Sequence, residues 1–380
     1  LMQIVFVITE LFVGGAEKCL AEVALAMAAG GDQVRVVSIG SLPSGEQAAL
    51  VDRLRTAQIP IHSLQADTVW DYPHAFRRLR DDLADRPPDL VQTFLHHANV
   101  LGMHAATSAG IQSRVAGVRV AQPKFARSLL ERRALRRAHS VVCVSRQVAR
   151  FARTSLGCPE ESTIVIPNGV DIDHFALAKP VSWSRLGWPE NAQVCLFLGR
   201  LDRQKGIELL QRQIDHIAPQ HSLRKLLLVG DGPLLSKLQS WCNQLGSDRV
   251  QRLPWQSNVA PWLQACRLLV LPSHYEGMPN VVLEAMAAAK PVVCSRVEGS
   301  EELLARSSED GTREEDQGFA PGDEAQMVRL IDRFQSDETL CKVTGEQNQR
   351  LVRSNYSLTA MTRAYREHYR ALFTRRLDVN

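Results

Sequence analysis

The sequence predicts an α/β protein built from two Rossmann-like, doubly wound domains facing a central cleft. Three observations carry that expectation. At 380 residues the chain exceeds what one ordinary core supports. Short apolar runs of strand length alternate with helix-length segments, the pattern of a parallel sheet covered on both faces. The alternation occurs twice, on either side of a stretch with two prolines and an Asn-Gly pair, PNGVDIDHFALAKPVSW at 167–183, which reads as a linker.

In chain order, the first set of strands is expected near 4–8, 34–39, 90–93, 114–118, 141–144 and 163–166, with helices such as 16–29 between them. The second set is expected near 194–198, 225–229, 268–271 and 292–294. Domain limits follow as 1–172, 173–355 and a closing segment 356–380. In that last segment Tyr365, Tyr369 and Leu372 recur at helical spacing, so it should be a helix crossing back onto the first domain. The polar run SSEDGTREEDQG after Arg306 reads as a surface insertion.

Composition narrows the function classes. A hydrophobic fraction of 45% and a charged fraction of 23% are ordinary for a globular enzyme, and no segment approaches the roughly 20 apolar residues of a membrane span. The opening apolar run is too short for a signal core. Eight cysteines without a C-x-x-C pair read as reduced, buried thiols in a cytoplasmic protein. The net charge of +4 hides an asymmetry. Between Arg114 and Arg153 stand Arg114, Arg119, Lys124, Arg127, Arg132, Arg133, Arg136, Arg137, Arg146, Arg150 and Arg153, against the single acid Glu131.

Four motifs sit at expected strand ends. In EGMPNVVLE, 276–284, Pro279 at a first helical position would leave the amides of Asn280, Val281 and Val282 pointing out of the helix start, an anion site. Glu276 and Glu284 flank it. Like charges cannot both bind phosphate, so each suits neutral hydroxyls of a sugar or ribose, unless both merely favour the positive helix end. In GRLDRQKG, 199–206, Arg200 and Lys205 could neutralise one diphosphate, although such residues are often simply solvated. GGAE, 14–17, opens the first helix, where Gly14 and Gly15 would let backbone approach phosphate; a plain tight turn is the alternative. HHAN, 96–99, follows a strand, and His97 is placed to meet a substrate hydroxyl or leaving group unless the pair only caps or packs. The G-x-G-x-x-G, G-x-S-x-G, P-loop and H-E-x-x-H signatures are absent, which removes the main support for dehydrogenase, hydrolase and kinase readings.

Taken together, GGAE, IPNGVD (166–171), LGRLDRQKG (198–206) and PSHYEGMPNVVLEAMAAAKPVV (272–293) resemble the retaining glycosyltransferases of family 4, which have the GT-B fold. The resemblance runs from about residue 4 to 369. It implies a hexosyltransferase that moves a sugar from a nucleotide diphosphate donor, a uridine nucleotide by preference, to a hydroxyl acceptor in glycan or lipid-linked glycan synthesis. It implies that Glu284 binds the donor ribose and Glu276 the transferred sugar. Arg200, Lys205 and the amides after Gly277, through Met278, Pro279, Asn280 and Val281, would hold the diphosphate, with Gly14 and Gly15 approaching the same phosphates. RLPWQ at 252–256 would read the base around Leu253, and His97 would meet the donor sugar.

Front-face displacement is the expected mechanism: the C1–O bond breaks while the acceptor hydroxyl attacks from the side the diphosphate leaves, and the cationic cluster stabilises growing phosphate charge. No cofactor or metal is expected, since no D-x-D motif is placed to offer a metal site in the cleft. VEGSEEL at 297–303 carries Glu298 where the family form has glycine, a departure expected to lie away from the centre. An epimerase of the same fold and a silent nucleotide-sugar binding module are the competing readings. The segment 123–138, with Phe125, Leu129, Leu130 and Leu135 among its arginines, suggests a mixed surface for anionic lipid, hence peripheral attachment to the inner face of the plasma membrane. Nucleic acid is not an expected partner, because no aromatic platform interleaves the charges.

Overall fold

The computed structural model describes residues 1–121, 125–304 and 316–377, with side chains left out at 125–128 and 375–377. The polar run at 307–315, Lys124, and the side chains of Phe125 and Arg127 therefore lie outside the described residues. The chain forms two compact units, Leu1–Gly169 together with Leu358–Asn380, and Val170–Ser357.

The first unit holds strands β1 (Gln3–Ile8), β2 (Gln33–Ser38), β3 (Ile61–Ser63), β4 (Leu90–Phe94), β5 (Ser113–Val118), β6 (Ser140–Cys143) and β7 (Thr163–Val165). All neighbours pair in parallel, in the order β3-β2-β1-β4-β5-β6-β7. The central strands are apolar on both faces, as QIVFVI in β1 shows, because helices cover both sides of the sheet. Those helices are α1 (Gly15–Ala29), α2 (Ala49–Thr56), α3 (Tyr72–Asp85), α4 (His96–Ser108), α5 (Phe125–Leu135) and α6 (Arg146–Thr154).

The second unit repeats the plan with β8 (Gln193–Leu198), β9 (Arg224–Val229), β10 (Val250–Leu253), β11 (Leu268–Leu271), β12 (Val292–Ser295) and β13 (Gly318–Phe319), parallel throughout in the order β10-β9-β8-β11-β12-β13. Its helices are α7 (Ile172–Ala176), α8 (Ile207–Arg212), α9 (Ile214–Ile217), α10 (Leu235–Leu245), α11 (Ala260–Ala265), α12 (Asn280–Ala287), α13 (Glu298–Leu304), α14 (Glu324–Ser336) and α15 (Glu338–Asn355). In each unit the strand order reverses beside the first strand, between β1 and β4 and between β8 and β11. Such reversals open a crevice at the carboxyl ends of the strands, where doubly wound sheets bind ligands. The expected pair of Rossmann-like, doubly wound domains is the architecture found.

The last helix, α16 (Leu358–Leu377), belongs to the first unit. Met361, Tyr365 and Tyr369 fall on one face and are buried in that core. The Tyr369 ring lies 6.3 Å from that of Phe6, and its hydroxyl donates to Gln92 Oε1 at 3.2 Å.

Two expectations fail. Strands β3, β10 and β13 escape the sequence reading, and all three are edge strands. The linker expected at 167–183 does contain the border between the units, at Gly169 and Val170, but it is ordered and packed rather than a loose connection. Asn168 and Gly169 make no turn; Asn168 is buried and accepts from the Arg119 guanidinium. The following residues fold into α7, whose start is capped by Asp171 accepting from the His174 amide at 3.2 Å. The D-x-D triplet Asp171–Asp173 is thereby accounted for, since Asp173 faces Arg353 at 3.5 Å. All eight cysteines are buried free thiols, as the scattered spacing suggests.

Candidate active site

The crevice of the second unit collects most of the expected residues. The chain leaves β8 through Gly199, passes Arg200, and makes a short 3-10 turn, Arg203–Lys205, before α8. Gly206 joins turn to helix at φ +63°, and a Cβ there would stand 2.0 Å from the Pro272 carbonyl oxygen. Only glycine lets this loop lie against the exit of β11. The contact brings Lys205 to Glu276, whose carboxylate is buried. Glu276 Oε1 accepts from Lys205 Nζ at 2.5 Å and from Ser273 Oγ at 2.7 Å. Gln204 locks the two loops further: its side chain donates to the Tyr275 carbonyl at 3.0 Å and its carbonyl accepts from the His274 amide at 2.8 Å.

Glu284 stands in the second turn of α12, and its side chain is buried too. Pro279 corrects the expected helix start: it is the residue before the first helical one, with ψ 110°, and Asn280 begins the helix. The Val282 amide donates to the Pro279 carbonyl at 3.1 Å, so it leaves the anion-binding set proposed from sequence. Gly277 and Met278 complete the loop, and Met278 is buried. Arg200 is held less closely than Lys205. Its side chain is 69% exposed, and its Nε lies 3.6 Å from Asp202 Oδ2, an exposed pair that holds it weakly.

Leu253 ends β10, and its carbonyl accepts from the Gly230 amide at 3.1 Å, while the Trp255 amide donates to Asp231 Oδ2 at 3.0 Å. These bonds fix the RLPWQ turn at the same rim of the sheet. Glu298 overturns its expected remoteness. Its carboxylate accepts from the Glu276 amide at 3.1 Å, and burial raises its pKa. The sequence carries the residue but not the fold-back of the β12 loop that makes the contact.

The crevice of the first unit collects the rest. Gly14 precedes α1 in extended backbone, and no side chain caps the helix there. The Glu17 carboxylate folds back instead: a Cβ on Gly14 would meet Glu17 Oε2 at 2.3 Å. Glu17 takes hydrogen bonds from the helix-start amides of Ala16 and Glu17. The room that glycine provides is therefore filled here by the chain's own acid, not only reserved for phosphate. Burial pushes the Glu17 carboxyl up to about 7; Glu10 adds to the rise, while Arg119 and the two amides oppose it. Arg119 is itself buried, and its Nη1 has no hydrogen-bond partner among the described residues.

After β4, Leu95 takes φ +73° and ψ 162°, a conformation nearly reserved for glycine, and α4 opens with His96 and His97. His96 is buried, with Nδ1 2.9 Å from Glu131 Oε2. His97 is exposed, its ring edge-on to Tyr72 at 5.8 Å and to His96 at 5.2 Å.

The basic run does not form one patch. Arg114 Nε donates to the Arg137 carbonyl at 2.7 Å, Arg119 is buried, and Arg153 pairs with Glu160 at 2.5 Å. Leu135 is core, whereas Leu129 and Leu130 are 46% and 51% exposed beside exposed Arg132, Arg133 and Arg136. Among the described residues no helix is long and apolar enough to cross a membrane, and no group of three metal-ligating side chains occurs.

Two doubly wound units with charged side chains gathered at their strand-order reversals have the architecture of small-ligand-binding α/β enzymes, and comparison identifies the family. The family model described as Glycosyltransferase Family 4 matches residues 13–174, and that described as Glycosyl transferases group 1 matches 192–337. The chain belongs to this glycosyltransferase family. It is 28% identical over 60% of its length to the lipopolysaccharide core biosynthesis glycosyltransferase LpsD of Rhizobium meliloti, covering 62% of that protein. It is 27% identical over 57% of its length to the Escherichia coli UDP-Gal:alpha-D-GlcNAc-diphosphoundecaprenol alpha-1,3-galactosyltransferase, covering 60% of it. The chain thus spans less than two thirds of the curated relatives it matches. In fold it is similar to Anabaena HepE in complex with UDP-glucose, with a TM-score of 0.81 at 22% identity, over 97% of this chain and 100% of that one.

Proposed function

We propose that the protein is a retaining hexosyltransferase. It would move a sugar from a nucleotide diphosphate donor, a UDP-sugar in the simplest case, to a hydroxyl of a glycan or lipid-linked glycan in cell-envelope or exopolysaccharide synthesis. The observation that carries the reading is the Lys205–Glu276–Ser273 cluster at the β8/β11 reversal, with Glu284 on the helix that follows. The chemistry follows from the charges. An incoming diphosphate competes with Glu276 for the Lys205 ammonium, and the released carboxylate turns to the sugar hydroxyls, which are donors. Exposed Arg200 swings onto the phosphates as negative charge grows on the leaving group, stabilising the transition state beyond the ground state. His97 meets the donor sugar, and the leaving phosphate oxygen takes the acceptor proton, so no protein nucleophile and no metal enter the scheme. The names of the relatives are those of transferases, which does not favour the epimerase alternative.

A thermal-shift panel of UDP-, GDP- and ADP-sugars tests the reading, because a ligand bound only by the folded state raises Tm by mass action. A UDP-sugar is expected to give the largest shift, and a panel without any shift would sink the proposal. The exposed pair Leu129 and Leu130, beside Arg132, Arg133 and Arg136, supports peripheral attachment to an anionic membrane. Flotation with anionic vesicles should exceed that with neutral ones; equal flotation removes the idea.

A further inference from the structure

We propose that Glu131, the single acid of the basic segment, is the positioning residue for the histidine pair: acting through His96, it sets how His97 is presented. The inference rests on the reading above, in which His97 meets the donor sugar.

The starting point is the bonding capacity of three buried side chains, Thr93, His96 and Asn99, and the partly buried Glu131. Asn99 Nδ2 donates to the Gly117 carbonyl at 2.9 Å, and a carbonyl can only accept, so the amide cannot be reversed. Thr93 Oγ1 donates to Asn99 Oδ1 at 2.6 Å. The second proton of Asn99 Nδ2 then points at Glu131 Oε1, 3.0 Å away. The other carboxylate oxygen, Oε2, faces His96 Nδ1 at 2.9 Å and requires a proton on that nitrogen. Position 131 must therefore accept twice, and a carboxylate is the side chain that does so. This is why one acid persists among eleven basic residues between Arg114 and Arg153. The network ties β4, α4, α5 and β5 together directly behind Leu95, whose φ of +73° is sustained only if its surroundings over-determine it. The His96 ring so fixed stands edge-on to His97 at 5.2 Å, and the Tyr72 ring stands edge-on to His97 at 5.8 Å. His97, though exposed, is thus in contact with two rings.

Glu131→Gln preserves shape and removes one acceptor. Its oxygen can serve Asn99, but its amide can then satisfy His96 only if that ring moves its proton from Nδ1 to Nε2. Nitrogen-15 NMR of the histidine rings should show this reversal, with a displaced His97 resonance. UDP-glucose turnover, followed as UDP release, should fall about tenfold while UDP affinity stays within about twofold, since the uridine diphosphate does not depend on His97. Glu131→Asp keeps both acceptors and should restore the Nδ1 proton, which also covers the case in which the glutamine variant fails to fold. Unchanged His96 and His97 resonances in Glu131→Gln, or undiminished turnover, would overturn the inference. His97→Ala separates the two levels. If it retains full turnover, the reading of the site fails; if it loses turnover while Glu131→Gln does not, only this inference fails.

Discussion

The two crevices share a topology and differ in their charge arrangement. In the second unit the acid Glu276 is buried against a base, Lys205, and a hydroxyl, Ser273. In the first unit the acid Glu17 is buried against helix-start amides with another acid, Glu10, nearby and Arg119 opposing. A paired charge can exchange its partner for a ligand and remain compensated throughout. A carboxyl pushed up to about 7 resolves its burial by taking a proton instead. The same strand order thus supplies one crevice suited to exchanging ions and one suited to neutral surroundings.

Breaking the first arrangement should give the largest effect. In the Lys205–Glu276 pair the side chains are only 17% and 8% exposed, so Lys205→Ala strands a buried carboxylate and should cost on the order of 3–5 kcal/mol of stability, read as a lower urea midpoint. Arg200→Ala is its control. That side chain is 69% exposed with one weak partner, so stability should hold within about 0.5 kcal/mol. Turnover should nevertheless fall by on the order of 2–4 kcal/mol of barrier, the worth of one preorganised donor. An Arg200→Ala enzyme with full turnover would remove Arg200 from the proposed chemistry.

How much of this was legible in the sequence depends on where each signal lies. Buried parallel strands such as CLFL and LLVL announce themselves as continuous apolar runs, because both faces are covered. The edge strand β10, VQRL, does not: it is only partly buried and carries Gln251 and Arg252, so its composition reads as loop. Glu276 and Glu284 were legible because proline, glycine and asparagine punctuate the helix start between them. Ser273, Glu131 and Arg119 carry no local punctuation. Their roles arise from contacts across 3, 35 and 49 positions, to Glu276, His96 and Asn168, and only the fold supplies the longer two. Glu17 was quoted within GGAE, yet the backward turn of its side chain over Gly14 depends on the absence of a cap, which sequence spacing does not reveal.

The second arrangement should yield to Glu17→Gln, with a smaller effect that depends on pH. The folded-state pKa of about 7 lies above the ordinary 4.5, so between these values the folded chain binds more protons than the unfolded one. Stability from this group is complete below about 4.5 and is lost as pH rises through about 7, because the charge must then be buried. A glutamine at 17 never ionises. The variant should therefore match or fall slightly below the wild type at pH 5, where the native carboxyl is already neutral. At pH 8 it should exceed the wild type, by at most about 3 kcal/mol at 1.36 kcal/mol per pKa unit. Melting curves of both proteins across pH 5–8 read the difference directly. A gap that widens toward high pH confirms a buried carboxyl that resists ionisation. A constant gap would mean that Glu17 stays charged, held by Arg119 and the helix-start amides, and that the two crevices are alike in carrying a compensated ion.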